Sequence, residues 1–261
     1  MGSPVIVAVR IQPASRFPHF AAGAAALVGV LLLAGAPVAR AAHVLYSPNV
    51  HQGELAVEYR AHRDVDSDAG KDGAQQHKLE LEYVPTARWK TSLLGEWEQE
   101  PDGAFKATEV AWENIFQLTE PGQHWADLGI LAEYAQSTRG GGAAVELGLL
   151  AEKRAGKHTA TLNLVAERGL SGSETELEYA FGWRYELDEA FEPGIELHGE
   201  LGEWSAPGSL RTHSHSAGPA FSGEWEAPGG DGELKYTAAV LFGLTGTAPD
   251  STVRLQLEWE F

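Results

Sequence analysis

The stretch T-E-L-E-Y-A-F-G-W-R-Y-E-L, residues 175–187, places Leu177, Tyr179, Phe181, Trp183, Tyr185 and Leu187 at every second position without a break. Strict period two is the pattern of a strand with one apolar side; helical spacing would return apolar residues at three and four. The same alternation runs through G-E-L-A-V-E-Y-R-A-H-R (53–63), H-K-L-E-L-E-Y-V (77–84) and W-K-T-S-L-L-G-E-W-E (89–98). Weaker versions cover 108–118, 126–136, 144–153, 159–168, 194–204, 215–226 and 234–244, and T-V-R-L-Q-L-E-W-E-F (252–261) repeats it cleanly. Twelve strands are predicted, separated by turn-rich pieces such as P-D-G at 101, R-G-G-G at 139 and A-P-G-G-D-G at 227. No helical pattern interrupts them, which argues against βαβ units and predicts one up-and-down antiparallel sheet. Ten or fourteen strands would fit the same punctuation.

Alternation does not say which solvent the apolar side faces. In a soluble sandwich or barrel it faces a dry core; in a membrane barrel it faces lipid and the polar side lines the interior. Strand length favours lipid, because these segments match the 9 to 11 residues a tilted strand needs to cross a bilayer. Aromatic placement agrees: Trp89, Trp97, Trp112, Trp125, Trp183, Trp225, Trp259 and Phe261 are expected near strand ends, as an interfacial girdle requires. The two longest polar connections, 64–76 and 205–213, also fall on one side of the sheet. The fold expected is all-β, an up-and-down antiparallel transmembrane β-barrel of about twelve strands spanning 42–261.

Residues 1–41 differ from the rest. They carry Arg10, Arg16 and Arg40 but no acid, an apolar run over Ala21–Ala36 and an Ala39-Arg40-Ala41 ending. Basic start, short apolar core and small-x-small end predict a secretory signal peptide. Without those three arginines, 16 Lys and Arg stand against 37 Asp and Glu, a net charge of −21. Such a chain repels nucleic acid and attracts cations. The absence of cysteine removes disulfides, thiolate chemistry and a lipid-anchored N-terminus.

A signal peptide, a run of amphipathic strands and a closing strand ending Trp259-Glu260-Phe261 resemble Gram-negative outer-membrane β-barrels. Arg254, Trp259 and Phe261 match the closing-strand pattern of that class, and Gln256 stands where Gly is usual. The resemblance, to the small porins and transporters as a class and to no single family, implies insertion into outer-membrane lipid by the barrel-assembly machinery. It also implies a channel for small cations or solutes. A non-conducting structural or adhesive barrel and a soluble periplasmic β-protein that binds a ligand or metal are the alternatives.

Parity assigns the inward acids. Glu58, Glu80, Glu82, Glu96, Glu98, Glu113, Glu133, Glu146, Glu178, Glu196, Glu200 and Glu258, with Arg184, are the expected lumen and selectivity residues. Crowded carboxylates in a water-filled tube concentrate cations and exclude anions. Asp64, Asp66, Asp68 and Asp72 sit at positions 1, 3, 5 and 9 of a calcium-loop pattern over 64–75. Ala69 and Gln75 stand where that pattern has its turn glycine and bidentate Glu, so a solvated acidic loop is the alternative to Ca2+. His213 and His215, with His198 on the neighbouring strand, are candidate metal ligands. No nucleophile elbow or triad supports an enzyme.

Overall fold

Each alternating stretch forms a strand. The computed structural model describes residues 44–172, 174–227 and 232–261; the predicted signal peptide and most of the A-P-G-G-D-G turn lie outside the described residues. In chain order the strands are β1 (Leu55–Val65), β2 (Gln75–Thr86), β3 (Trp89–Gln99), β4 (Lys106–Gln117), β5 (Asp127–Ser137), β6 (Ala143–Ala155), β7 (His158–Gly169), β8 (Thr175–Tyr185), β9 (Glu192–Glu203), β10 (His215–Glu226), β11 (Glu233–Gly243) and β12 (Ser251–Glu260). Each pairs antiparallel with the next, and β12 returns to β1 to close the barrel. The closing ladder runs from Ala56 opposite Glu260 to Val65 opposite Ser251. Beyond it, the Phe261 N–H donates to the Leu55 carbonyl at 3.0 Å. Closure leaves no edge of unpaired backbone groups, which is what a sheet in hydrocarbon requires.

Burial fixes which way the alternation points. Leu147 and Leu149 on β6 are 61% and 63% exposed, whereas Glu113 and Glu80 are 0% and 1% exposed. A protein folded for water does the reverse. Leu79, Leu81, Leu93, Leu164 and Val253 are likewise exposed, so the outer surface is an apolar band and the carboxylates point inward. This is transmembrane-barrel geometry, and it removes the soluble alternative.

Polar groups on the outer face find partners there. The Trp89 indole donates to Asn114 Oδ1 at 3.0 Å, and Trp112 donates to Thr91 Oγ1 at 2.9 Å. We call the rim that carries Leu55 and Glu260 the terminal end and the opposite rim the far end. At the terminal end Trp89 stacks on Phe116, Trp225 on Tyr236, and His158 packs beside Trp183 and Tyr185, forming the expected girdle. Trp112 is a correction: it lies mid-strand, opposite Leu93 and Tyr134, where the Thr91 hydroxyl satisfies its N–H.

Two further departures concern the interior and the loops. Both long connections expected on one side, 66–74 and 204–214, do lie at the far end, but 118–126 at the terminal end is as long as 66–74, so loop length alone does not separate the rims. The interior is not uniformly polar either. Val84, Ile115, Leu131 and Leu150 face inward and cluster with Val50, and Tyr46 and Val165 pack against them.

Because Leu149 faces lipid near mid-strand, Leu149→Arg should destabilise the folded barrel by about 2–4 kcal/mol. Denaturant unfolding in lipid vesicles measures this. An effect near zero, normal for an exposed leucine in water, would show that the outer face is not in hydrocarbon.

Candidate functional site

The lumen is entered by the chain itself. Ahead of β1, residues 44–50 run inside the barrel rather than away from it, with Val44, Pro48 and Val50 buried, and His51, Gln52 and Gly53 are exposed before the strand begins. Asn163 of β7 grips the segment with both ends of its amide: its Oδ1 accepts from the Tyr46 N–H at 2.7 Å and its Nδ2 donates to the Tyr46 carbonyl at 2.9 Å. Gln117 Oε1 accepts from the Val50 N–H at 2.9 Å, and Arg60 Nη1 donates to the Tyr46 hydroxyl at 3.2 Å. These contacts satisfy backbone groups that strand pairing leaves open.

The wall is shaped to receive this segment. A Cβ added at Gly129 would lie 2.8 Å from Pro48 Cβ, and one added at Gly182 would collide with Leu45. The inward cluster of Val84, Ile115, Leu131 and Leu150 meets Val50 and Tyr46. Among the described residues, Val44 and Tyr46 together line two cavities. The larger, about 630 Å³, is lined by Glu58, Glu82, Lys90, Arg184 and Glu258; the smaller, about 320 Å³, by Lys78, Glu146, Glu178, His198 and Glu200.

A hydrogen-bonded chain spans the interior between them. Glu80 and Glu58 both bind Arg60; Gln256 Nε2 donates to Glu58 Oε2 at 2.7 Å, and Arg254 Nη2 donates to Gln256 Oε1 at 2.7 Å. Arg254 Nη1 then reaches both oxygens of Glu196, at 2.9 and 3.0 Å, and His198 Nε2 sits 3.0 Å from Glu196 Oε2. The step from β12 to β9 skips two strands. It is open because the residues level with Arg254 on β11 and β10 are Ala239 and Ala220. Elsewhere Lys78 pairs with Glu96 at 3.1 Å and Lys90 with Glu82 at 2.5 Å.

The register produces an arrangement that parity alone could not reveal. Taking residues directly opposite one another from strand to strand gives Glu226, Glu233, Glu260, Ala56, Glu82, Ser92, Glu113, Glu133, Glu146, Glu167, Glu176 and Glu203. All but Ala56 and Ser92 are glutamates. The row makes one circuit of the barrel, rising from the terminal end of β10 to the far end of β9. Glu113 within it is fully buried and neither of its oxygens has a hydrogen-bond partner.

The predicted lumen residues are therefore all inward. Glu98 accepts from Gln76 at 3.2 Å, Glu200 accepts from the Ser214 N–H at 3.4 Å, and Arg184 lies 3.6 Å from Glu192. Glu109, which accompanies a register shift between β3 and β4, and Glu167 also face inward and were not foreseen. Nor was the internal segment. The signals available for it were Gly129, Gly182 and the apolar residues at inward positions, which break the polar parity of their strands.

The candidate metal ligands do not assemble. Asp64 Oδ1 accepts from the Thr252 hydroxyl at 2.7 Å inside the barrel, while the other three sit in the 66–74 loop. Asp66 accepts from the N–H of Asp68 and of Asp250, Asp68 from Gly70, and Asp72 from Asp66. These carboxylates fix turns instead of converging. Asp250 in turn accepts from the Ser67 N–H at 2.9 Å, which holds its carboxyl below the ordinary range. That contact persists until pH falls through the lowered value. His215 faces outward, 3.2 Å from the Tyr179 hydroxyl, whereas His198 faces inward; His213 packs on Gly202 and Gly208 in the loop. The strand pleat puts the imidazoles of His198 and His215 on opposite sides. Among the described residues, the carboxylate groups that do converge are Glu58, Glu82, Glu258 and Glu54, Glu258, Glu260.

No protein-family model matches the chain, and no curated protein matches it. Solved structures share its fold. The KdgM porin aligns at TM-score 0.53 with 9% identity, covering 79% of this chain and 99% of that one. The COG4313 outer membrane channel from Pseudomonas putida F1 aligns at TM-score 0.54 with 14% identity, covering 81% and 96%. A KdgM porin in complex with disordered oligogalacturonate aligns at 0.51 with 9% identity, covering 79% and 98%. The chain thus has the porin-like fold of outer-membrane barrels without a specific family.

If Asn163 holds the internal segment, Asn163→Ala should release it, at about 1 kcal/mol per lost hydrogen bond. With Leu45→Cys as a sole thiol, labelling by a polar maleimide should be slow in the parent and several-fold faster with Asn163→Ala. Equal rates would show that the amide grip does not hold the segment.

Proposed function

We infer that this porin-like barrel is an outer-membrane channel whose acidic lumen passes cations or small solutes. The observation that carries the reading is the glutamate row, which circles the lumen from one mouth to the other. Carboxylates at successive positions raise the local cation concentration along the wall and repel anions. The bound pairs centred on Arg60, Lys78, Lys90 and Arg254 lie mainly on β1, β2, β3 and β12. On β4 to β7 the row supplies Glu113, Glu133, Glu146 and Glu167 in unbroken succession. The solute expected is opposite in charge to the oligogalacturonate of the neighbouring porin complex, because an anionic oligosaccharide would meet this wall unfavourably. Arg254, Trp259 and Phe261 of the closing strand, the last two at the terminal rim, are proposed to be read by the assembly machinery.

A second reading, a non-conducting structural barrel, is supported by the segment 44–50 lying between the two cavities. Planar-bilayer recording under a KCl gradient separates the two. A conducting, cation-selective reversal potential is expected, and the combined Glu113→Gln, Glu133→Gln, Glu146→Gln variant should lose most of the selectivity. Silence favours the structural barrel, and anion preference contradicts the acidic path.

A further inference from the structure

We propose that a hard divalent cation, Ca2+ or Mg2+, binds between Glu58, Glu82 and Glu258 and clasps the seam where the barrel closes. The three carboxylates come from β1, β2 and β12, and the oxygens they offer lie within 4.8 Å of one another. All three line the larger cavity. Glu58 and Glu82 are buried. Glu258 also belongs to the second convergent group, with Glu54 and Glu260.

Charge at this seam does not balance within the protein. Glu58 stands directly opposite Glu80 on one side and Glu258 on the other, and like charges in that relation destabilise a sheet. Arg60 is shared by Glu58 and Glu80, Lys90 holds Glu82, and Lys235 holds Glu258 and Glu260. Three bases thus serve five carboxylates, with Glu54 a sixth beside them.

Orphaned oxygens supply an independent sign of a ligand. Glu82 Oε1 is buried with no hydrogen-bond partner, although Oε2 binds Lys90. Ser92 is directly opposite Glu82 on β3, and its hydroxyl is buried with no partner at all. Buried polar atoms without partners are costly. Carboxylate and hydroxyl oxygens with no nitrogen or sulfur among them suit a hard cation rather than a transition metal. A dication here would offset the surplus charge and link β2, β1 and β12, the strands on either side of the closing ladder. The clasp concerns closure and does not depend on whether the pore conducts.

The test uses the folded, full-length barrel in detergent at constant ionic strength. Its unfolding temperature is read from heat-modifiable gel migration, and bound Ca2+ from equilibrium dialysis with 45Ca. Millimolar Ca2+ should raise the unfolding temperature by several degrees over EDTA, with saturable binding near one ion per barrel, and added KCl should not reproduce the shift. Glu82→Gln and Glu258→Gln should remove most of the shift, while Glu189→Gln in the exposed 186–191 turn should keep it. Ser92→Ala, which leaves every ion pair intact, should weaken binding several-fold and keeps the test decisive if a Glu variant fails to fold. No shift in the parent, or the same shift in all variants, would overturn the clasp.

Discussion

A sheet in hydrocarbon has no water for its edges, and the pairing of β1 with β12 is the constraint on which the rest of this molecule depends. Once the last strand must lie beside the first, every other strand takes a fixed neighbour, and each side chain becomes either lipid-facing or enclosed. Trp259 pairs with Val57 and Leu234, and the Phe261 amide extends the ladder to Leu55. Closure also concentrates charge. Acids that would be dispersed on a soluble surface instead face one another across a narrow interior.

The interior answers that crowding in two ways. Around β1, β2, β12 and β9, arginines and a glutamine join the acids into one chain from Glu80 to Glu196. Around β4 to β7, apolar residues and the segment 44–50 fill the space, with Tyr46 packed on the inward apolar cluster and its hydroxyl accepting from Arg60. The same register that aligns the glutamates also aligns Ile115 with Leu131 and Gly148, so the path for charge and the seat for the segment lie on adjacent levels of one wall. Cation passage and partial filling are two consequences of a single pattern of residues.

The fold was largely legible in the sequence because period two is a local property. Residues 175–187 announce β8 without any knowledge of its neighbours. Facing direction was legible from strand length and aromatic ends, with Trp112 the exception. What was hidden is whatever depends on register. Nothing near Glu113 says that Glu133 stands opposite it, since that is fixed by how the 118–126 connection sets β5 against β4, just as the register shift at Glu96 and Trp97 sets which residues of β4 face β3. The segment 44–50 was hidden for a related reason: its partners, Asn163 and Gln117, are far away in sequence. The histidine grouping failed through the pleat, which turns His198 inward and His215 outward although they lie on adjacent strands.

The central claim is that the charged side of each strand is enclosed and the apolar side is in lipid. Single cysteines along β6 test it most directly, because the chain has no native cysteine. With a spin label at each of residues 145–152 in reconstituted vesicles, accessibility to oxygen should peak at Val145, Leu147, Leu149 and Ala151 and fall at Glu146, Gly148, Leu150 and Glu152. Alternation of the opposite phase, or none, would contradict the account.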